Sequence, residues 1–329
     1  MALVSPEITP RASSVVVHNS QNGMLSGLIR PRKKPYIKNE LNFLAGATVV
    51  SGLVASKRLL DGVVLPAGRT ARVDLEDALD VIFQHPNVPP FISKHLIRKL
   101  VTSNPSPAYV DRVAAVFEND GQGVRGNLAA VVRAILLDDE ARNGQRTQPD
   151  RFGKLREPLL RQTQLWRALG AYADNGRYQE WNAEFSFGQA PLRAPTVFNF
   201  FLPDFRPTGE LSALGLDAPE FQITTDPQIA SSSMALGART YWAWRGNDWQ
   251  TPEDVVVDLR PYQPLAVASP TALVDYFDLM LMNRTMSQAM FNILVNHISG
   301  IDTTQDQGRE RVMDTVWLIQ TSPEYAIER

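Results

Sequence analysis

The chain has 329 residues, 44% hydrophobic and 21% charged, and its 33 Lys and Arg against 35 Asp and Glu leave a formal charge of −2. A chain this long buries roughly three quarters of its unfolded surface, so a full apolar core is available and intrinsic disorder and collagen-like repeats are excluded. The balanced charge argues against nucleic acid as a partner, and zero cysteines exclude disulfides, thiolate metal sites and a cysteine nucleophile.

Residues 1–70 lack a sustained period and are expected to form an irregular N-terminal arm, with residues 71–329 as a helical domain. Pro6, Glu7 and Pro10 interrupt the stretch that an export signal would keep apolar, so no signal peptide is expected. No window approaches the ~18 apolar residues that cross a bilayer, so no membrane span is expected. The basic cluster Arg30, Arg32, Lys33, Lys34 and Lys38 is broken by Pro31 and Pro35. It reads as a solvated linker, with contact to an anionic partner as the alternative.

From Asp74 the spacing turns helical. Leu75, Leu79, Ile82 and Phe83 fall at i, i+4, i+7 and i+8 and are expected to face inward. His85-Pro86-Asn87 stops that helix; Pro90 opens the next, with Phe91, Ile92, Leu96 and Leu100 inward and Lys94, Arg98 and Lys99 outward. Ser106-Pro107 and Asn127 are start signals for helices that bury Val110, Val113 and Phe117, then the stripe Leu128, Val131, Val132, Ile135 and Leu136. Pro158 sits in the first turn of a helix carrying Leu159, Trp166 and Leu169.

Periodicity lapses from about Ala173 to Leu216, where prolines alternate with Phe185, Phe187, Phe198, Phe200, Phe201 and Phe205. This segment reads as a strap packed over the helices. Asp226-Pro227, Ser269-Pro270 and Thr285 or Ser287 open further helices, Val312, Val316 and Ile319 mark a last one, and Val255–Val257 is the one plausible strand. The expected fold class is mainly α: an irregular multi-helix bundle with a long aromatic and proline-rich strap and little or no β structure.

Gly121-Gln122-Gly123-Val124-Arg125-Gly126 matches a dinucleotide fingerprint, but it follows a helix rather than the strand such a site needs. The four histidines, His18, His85, His95 and His297, form no helix-borne zinc pattern, and no metal or cofactor is expected. His85 can bond free carbonyls at a helix end, His95 reads as a satisfied structural side chain, and His297 as core or rim. The catalytic candidates, should the chain be an enzyme, are His85, Asn87, His95 and Arg98. Asp138, Asp139 and Glu140 read as a solvated helix end. In Tyr241-Trp242-Ala243-Trp244-Arg245-Gly246-Asn247-Asp248-Trp249, flat amphipathic rings stand beside polar groups, as in sites that stack on sugars. The leading reading is of rings that plug a helix end onto the core; in the alternative, Trp242, Trp244, Arg245 and Trp249 are the ligand-binding candidates.

His85-Pro86-Asn87-Val88-Pro89-Pro90-Phe91-Ile92 and Leu100-Val101-Thr102-Ser103-Asn104-Pro105-Ser106-Pro107 resemble the signature stretch of bacterial domain-of-unknown-function family 1800. Gly126-Asn127-Leu128, Lys154-Leu155-Arg156-Glu157-Pro158, Pro195-Thr196-Val197-Phe198-Asn199-Phe200 and Thr321-Ser322-Pro323-Glu324-Tyr325 agree in order and spacing. The resemblance runs over roughly residues 60 to 329 and is to the family's C-terminal half only. It implies a periplasmic or secreted setting and a sulfatase-like companion protein, and it supplies no reaction or catalytic residues. The leading expectation is a helical binding or interaction module of an envelope-associated or exported system. The alternative is part of a hydrolase-like enzyme acting on a glycan or other polymer near His85 and His95.

Overall fold

The computed structural model describes residues 55–180, 182–244 and 250–328. These divide into two compact units: residues 55–100 with Pro105–Arg142, and Val101–Asn104 with the described residues from Asn143 onward. Helices dominate both, and the paired strands are each two residues long.

In the first unit β1 (Lys57–Arg58) pairs antiparallel with β2 (Val64–Leu65), so the last residues of the expected arm form a small hairpin. Helix α1 (Ala71–Gln84) is capped by Thr70 Oγ1, which accepts the Val73 N–H at 3.4 Å. Its apolar stripe corrects the sequence expectation. Leu75, Leu79, Ile82 and Phe83 are exposed, and the buried position is Asp74, held by Lys57 Nζ at 2.7 Å. Satisfying that carboxylate turns the helix so that its polar first turn faces the hairpin.

Helix α2 (Val88–Leu100) departs in the same way, burying Pro89, Ser93 and Ile97 while Phe91 and Leu100 are exposed. Helix α2 packs against α3 (Pro107–Glu118). Helices α3 and α4 (Leu128–Leu137) follow the expected pattern where Val110, Val113 and Phe117 meet Val131 and Ile135, but Leu128 and Leu136 of the stripe are exposed. Tyr109 donates its hydroxyl to the Ile135 carbonyl at 2.7 Å. At the start of α5 (Asp139–Thr147), Glu140 is buried rather than solvated. Its carboxylate accepts from the Ser106 N–H at 2.8 Å and from the Ser106 hydroxyl, while Asp138 takes Arg112 in a two-point pair at 2.7 and 2.8 Å.

In the second unit β3 (Lys154–Leu155) pairs antiparallel with β4 (Ile327–Glu328). Helices α6 (Pro158–Ala168), α7 (Ala183–Phe187), α8 (Glu210–Ala213) and α9 (Asp226–Tyr241) follow, then α10 (Gln263–Ala268), α11 (Pro270–Phe277), α12 (Gln288–Ser299), α13 (Arg309–Thr321) and α14 (Pro323–Ala326). Leu165, Phe277, Leu294, Ile298, Val312 and Val316 lie at the centre of the core. Ser287 settles the start of α12, its Oγ accepting the Met290 N–H at 3.1 Å.

The strap covers the helices only in part. Phe187 and Phe201 are buried, whereas Phe185, Leu192, Val197 and Phe198 are exposed. The tight turn in which Asn199 N–H donates to Thr196 O at 3.1 Å places Val197 and Phe198 between its ends. Val255–Val257 is buried but forms only isolated bridges, to Tyr172 and Trp244, rather than a strand.

Candidate functional site

The glycine turn between α3 and α4 is filled by its own side chains. Asn119 Oδ1 accepts the N–H groups of Gly121 and Gly123 at 2.9 and 3.0 Å, and Asp120 Oδ1 those of Gln122 and Val124 at 2.8 and 3.1 Å. The Asn127 side chain and these amides hold the Asp120 carboxyl below its ordinary range. The backbone N–H groups that would cradle a phosphate in such a fingerprint are thus already bonded to the side chains of Asn119 and Asp120.

His85 does not bond the free carbonyls at the end of α1. Arg125 does: its Nε donates to Phe83 O at 3.1 Å and its Nη2 to His85 O at 3.4 Å. The His85 ring accepts the Asn87 N–H at Nδ1, at 3.1 Å, and presents Nε2 to Asp61 at 3.5 Å. Both ring nitrogens are thus engaged. His95 lies on α2 edge-on to Phe91, centroids 4.4 Å apart. Burial, then Arg98, Lys94 and Lys99, lower its pKa below 6.5. Asn87 precedes α2 and His95 lies two turns into it, with the half-buried Arg98 three residues further on.

The second unit holds a cleft of about 300 Å³, lined by Trp244, Leu259, Arg260, Gln263, Gln305, Asp306, Gln307 and Arg309. Trp244 follows the end of α9, its indole N–H donating to Tyr241 O at 3.1 Å and its backbone bridging Val257. Arg309 is the first residue of α13. The turn before it takes left-handed backbone at Gln307 (φ 57°) and Gly308 (φ 82°). Gly308 is required there: a Cβ would lie 3.0 Å from Val267 Cγ2 and 3.1 Å from Ala266 Cβ. Asp306 accepts the Gly308 and Glu310 N–H groups at 2.9 and 2.5 Å, and so closes the helix start.

The cations of the cleft differ. Arg260 is neutralised by Asp258, at 2.8 and 2.6 Å, a pairing that raises its pKa. The Arg309 guanidinium lies 4.1 Å from the centre of the Trp244 ring, and its Nε is buried without a hydrogen-bond partner among the described residues. A guanidinium stacked on an indole keeps its donors in the ring plane, aimed sideways. Gln263, Gln305 and Gln307 add carboxamides able to donate and accept.

Of the aromatic candidates, Trp244 lines this cleft and the exposed Trp242 does not. Arg245 and Trp249 lie outside the described residues. Next to the cleft, Asp314 joins two partners the sequence does not connect: Tyr241 donates its hydroxyl to Oδ1, and His297 Nε2 meets Oδ2 at 2.6 Å. Burial, then the Asp314 bond, raises the Tyr241 pKa, keeping the phenol a donor. His297 is on the rim, half-exposed. No local signal marks Arg309, Asp314 or the glutamines, because their partners come from distant segments.

Among the described residues no three His, Asp or Glu side chains gather as a metal-ligand set, and no helix is long and apolar enough to cross a membrane. No curated protein and no solved structure matches the chain. The family model described as Protein of unknown function (DUF1800) matches residues 53–327, most of the chain rather than a C-terminal half alone. The chain belongs to the DUF1800 family.

Proposed function

We propose that the chain is a helical binding module, without catalysis of its own, of an envelope-associated or exported system. The cleft beside Trp244 takes an acidic, hydroxyl-bearing ligand of the uronic-acid saccharide class. The observation that carries this reading is the Arg309 guanidinium 4.1 Å from the centre of the Trp244 ring, with a buried Nε–H that has no hydrogen-bond partner among the described residues. A carboxylate satisfies that donor in a charge-assisted bond, and the three glutamines match sugar hydroxyls.

The test is calorimetric titration with a short galacturonate oligomer. Arg309→Gln is expected to weaken binding at least tenfold, since a hydrogen bond to a charged group contributes ~1.5–3 kcal/mol. The neutral oligomer should bind correspondingly worse than the acidic one. Absence of binding, or equal affinity in Arg309→Gln, rejects the reading. A protein companion of sulfatase-like type belongs to the same proposal, with the exposed strap residues Leu192, Val197 and Phe198 as its contact surface. Failure to co-purify any such companion removes that part.

A second reading, a hydrolase-like site at His85 and His95, is favoured by the Asp61 carboxylate 3.5 Å from His85. It requires glycan cleavage that His85→Ala abolishes without lowering the melting temperature.

A further inference from the structure

The second unit carries another cationic feature, remote in sequence from the Trp244 cleft. Arg156 follows β3 and Arg161 lies in the second turn of α6. The Arg156 guanidinium lies 4.2 Å from the centre of the Tyr325 ring. Tyr325 is buried, and its hydroxyl donates to Gln164 Oε1 at 2.9 Å. Arg156 Nη1 and Arg161 Nε are both buried atoms without a hydrogen-bond partner among the described residues.

Among the described residues no carboxylate forms an ion pair with Arg156 or Arg161. Burial lowers the Arg161 pKa, Tyr325 raises it, and Arg156, a second cation, lowers it further. Nearby carboxylates are engaged elsewhere: Glu220 pairs with Lys154 at 3.5 Å in an almost fully buried contact, and Glu157 accepts from Gln189 Nε2 at 2.6 Å. Glu328 acts on the Tyr325 phenol, which burial pushes up. The carboxamides of Gln162 on α6 and Gln320 on α13 are fully buried, and neither polar atom of either has a hydrogen-bond partner among the described residues. A desolvated guanidinium without a counter-charge is costly, and orphaned buried donors signal a missing acceptor.

We propose that Arg156 and Arg161 form a receptor for a small oxyanion, a carboxylate or a phosphate-type group, independent of the Trp244 cleft. Arg156 keeps a side-chain hydrogen bond to Tyr325, and the one unfilled donor on each guanidinium suits a ligand that offers several acceptor oxygens.

The test is thermal unfolding of the whole chain in sodium phosphate or sodium acetate, against sodium chloride at matched ionic strength. At least one oxyanion is expected to raise Tm by about 2–4 °C over chloride. Phosphate alone assigns a tetrahedral group, acetate alone a carboxylate, and both together the shared chemistry. Arg161→Gln is expected to abolish the rise while being no less stable than the parent in chloride, because it removes an uncompensated buried charge. Should that variant not fold, Arg161→Lys keeps the charge and loses the fork. Calorimetry is then expected to show at least tenfold weaker oxyanion binding. The proposal is overturned if neither oxyanion exceeds chloride, if Arg161→Gln keeps the rise, or if Arg161→Lys binds as tightly as the parent.

Discussion

Replacing Gly144 by alanine sets two effects of known size against each other. Gly144 lies within α5, where alanine is favoured over glycine by ~1 kcal/mol on propensity alone. A Cβ at this position would stand 2.2 Å from Phe152 Cδ2, 2.3 Å from Cε2 and 2.8 Å from Cγ. Because Cγ anchors the ring, swinging its far edge does not relieve the clash, and the whole side chain must move. Phe152 is buried, at 8% exposure, so it moves against packed neighbours. Overpacking of this kind costs about 1–3 kcal/mol, and contacts this short belong at the upper end. The net expectation is destabilisation by about 1–2 kcal/mol, or a fall in Tm of roughly 2–6 °C. Urea unfolding followed by circular dichroism measures it. Adding Phe152→Leu should recover part of the loss, because the two positions are in direct contact. A Gly144→Ala variant as stable as the parent would refute the packing described for this helix.

Three further outcomes follow from individual side chains. Glu140→Gln leaves one carbonyl oxygen to serve both the N–H and the hydroxyl of Ser106, and should cost about 1–3 kcal/mol in chemical denaturation; no loss would mean the buried contact contributes nothing. Burial opposes ionisation of Asp138, but the Arg112 fork and the Glu140 N–H outweigh it and hold its carboxyl below the ordinary range. Its contribution is therefore present above about pH 3.9 and lost as pH falls through the lower folded value, so Asp138→Asn should flatten the acid limb of the stability profile; an unchanged limb contradicts this. His95, lowered by burial and then by Arg98, Lys94 and Lys99, should titrate below 6.5 in a proton NMR series. Its stabilising contribution is complete above 6.5 and disappears as pH drops through the folded midpoint; a midpoint at or above 6.5 would be inconsistent with the site.

What the sequence made legible is what local chemistry decides. Ser106, Asn127, Ser269 and Ser287 cap their helices through bonds spanning three residues, to Tyr109, Ala130, Ala272 and Met290. The same reasoning misjudged α1 and α2 because periodicity identifies a stripe without saying which side meets the core. Asp74 turns α1 through its bond to Lys57, and α2 buries Ser93 while Phe91 is exposed. Glu140 appeared solvated because its partner, Ser106, is 34 residues away. Of the residues lining the cleft, the sequence singled out Trp244 in its aromatic run, whereas Arg309 comes from beyond a loop carrying Gln307 in left-handed backbone. In the strap, composition announced apolar mass but not which rings would be covered, so Phe201 is buried and Phe198 exposed.

The most direct measurement of the central claim is the Nε–H resonance of Arg309 in a nitrogen-15 NMR spectrum, followed as a galacturonate oligomer is added. Binding at the cleft should shift that resonance and slow its exchange with water, with Trp244 shifting in parallel and Arg112 unmoved. A spectrum in which Arg309 and Trp244 stay in place at saturating oligomer would contradict the assignment of this cleft as the binding site.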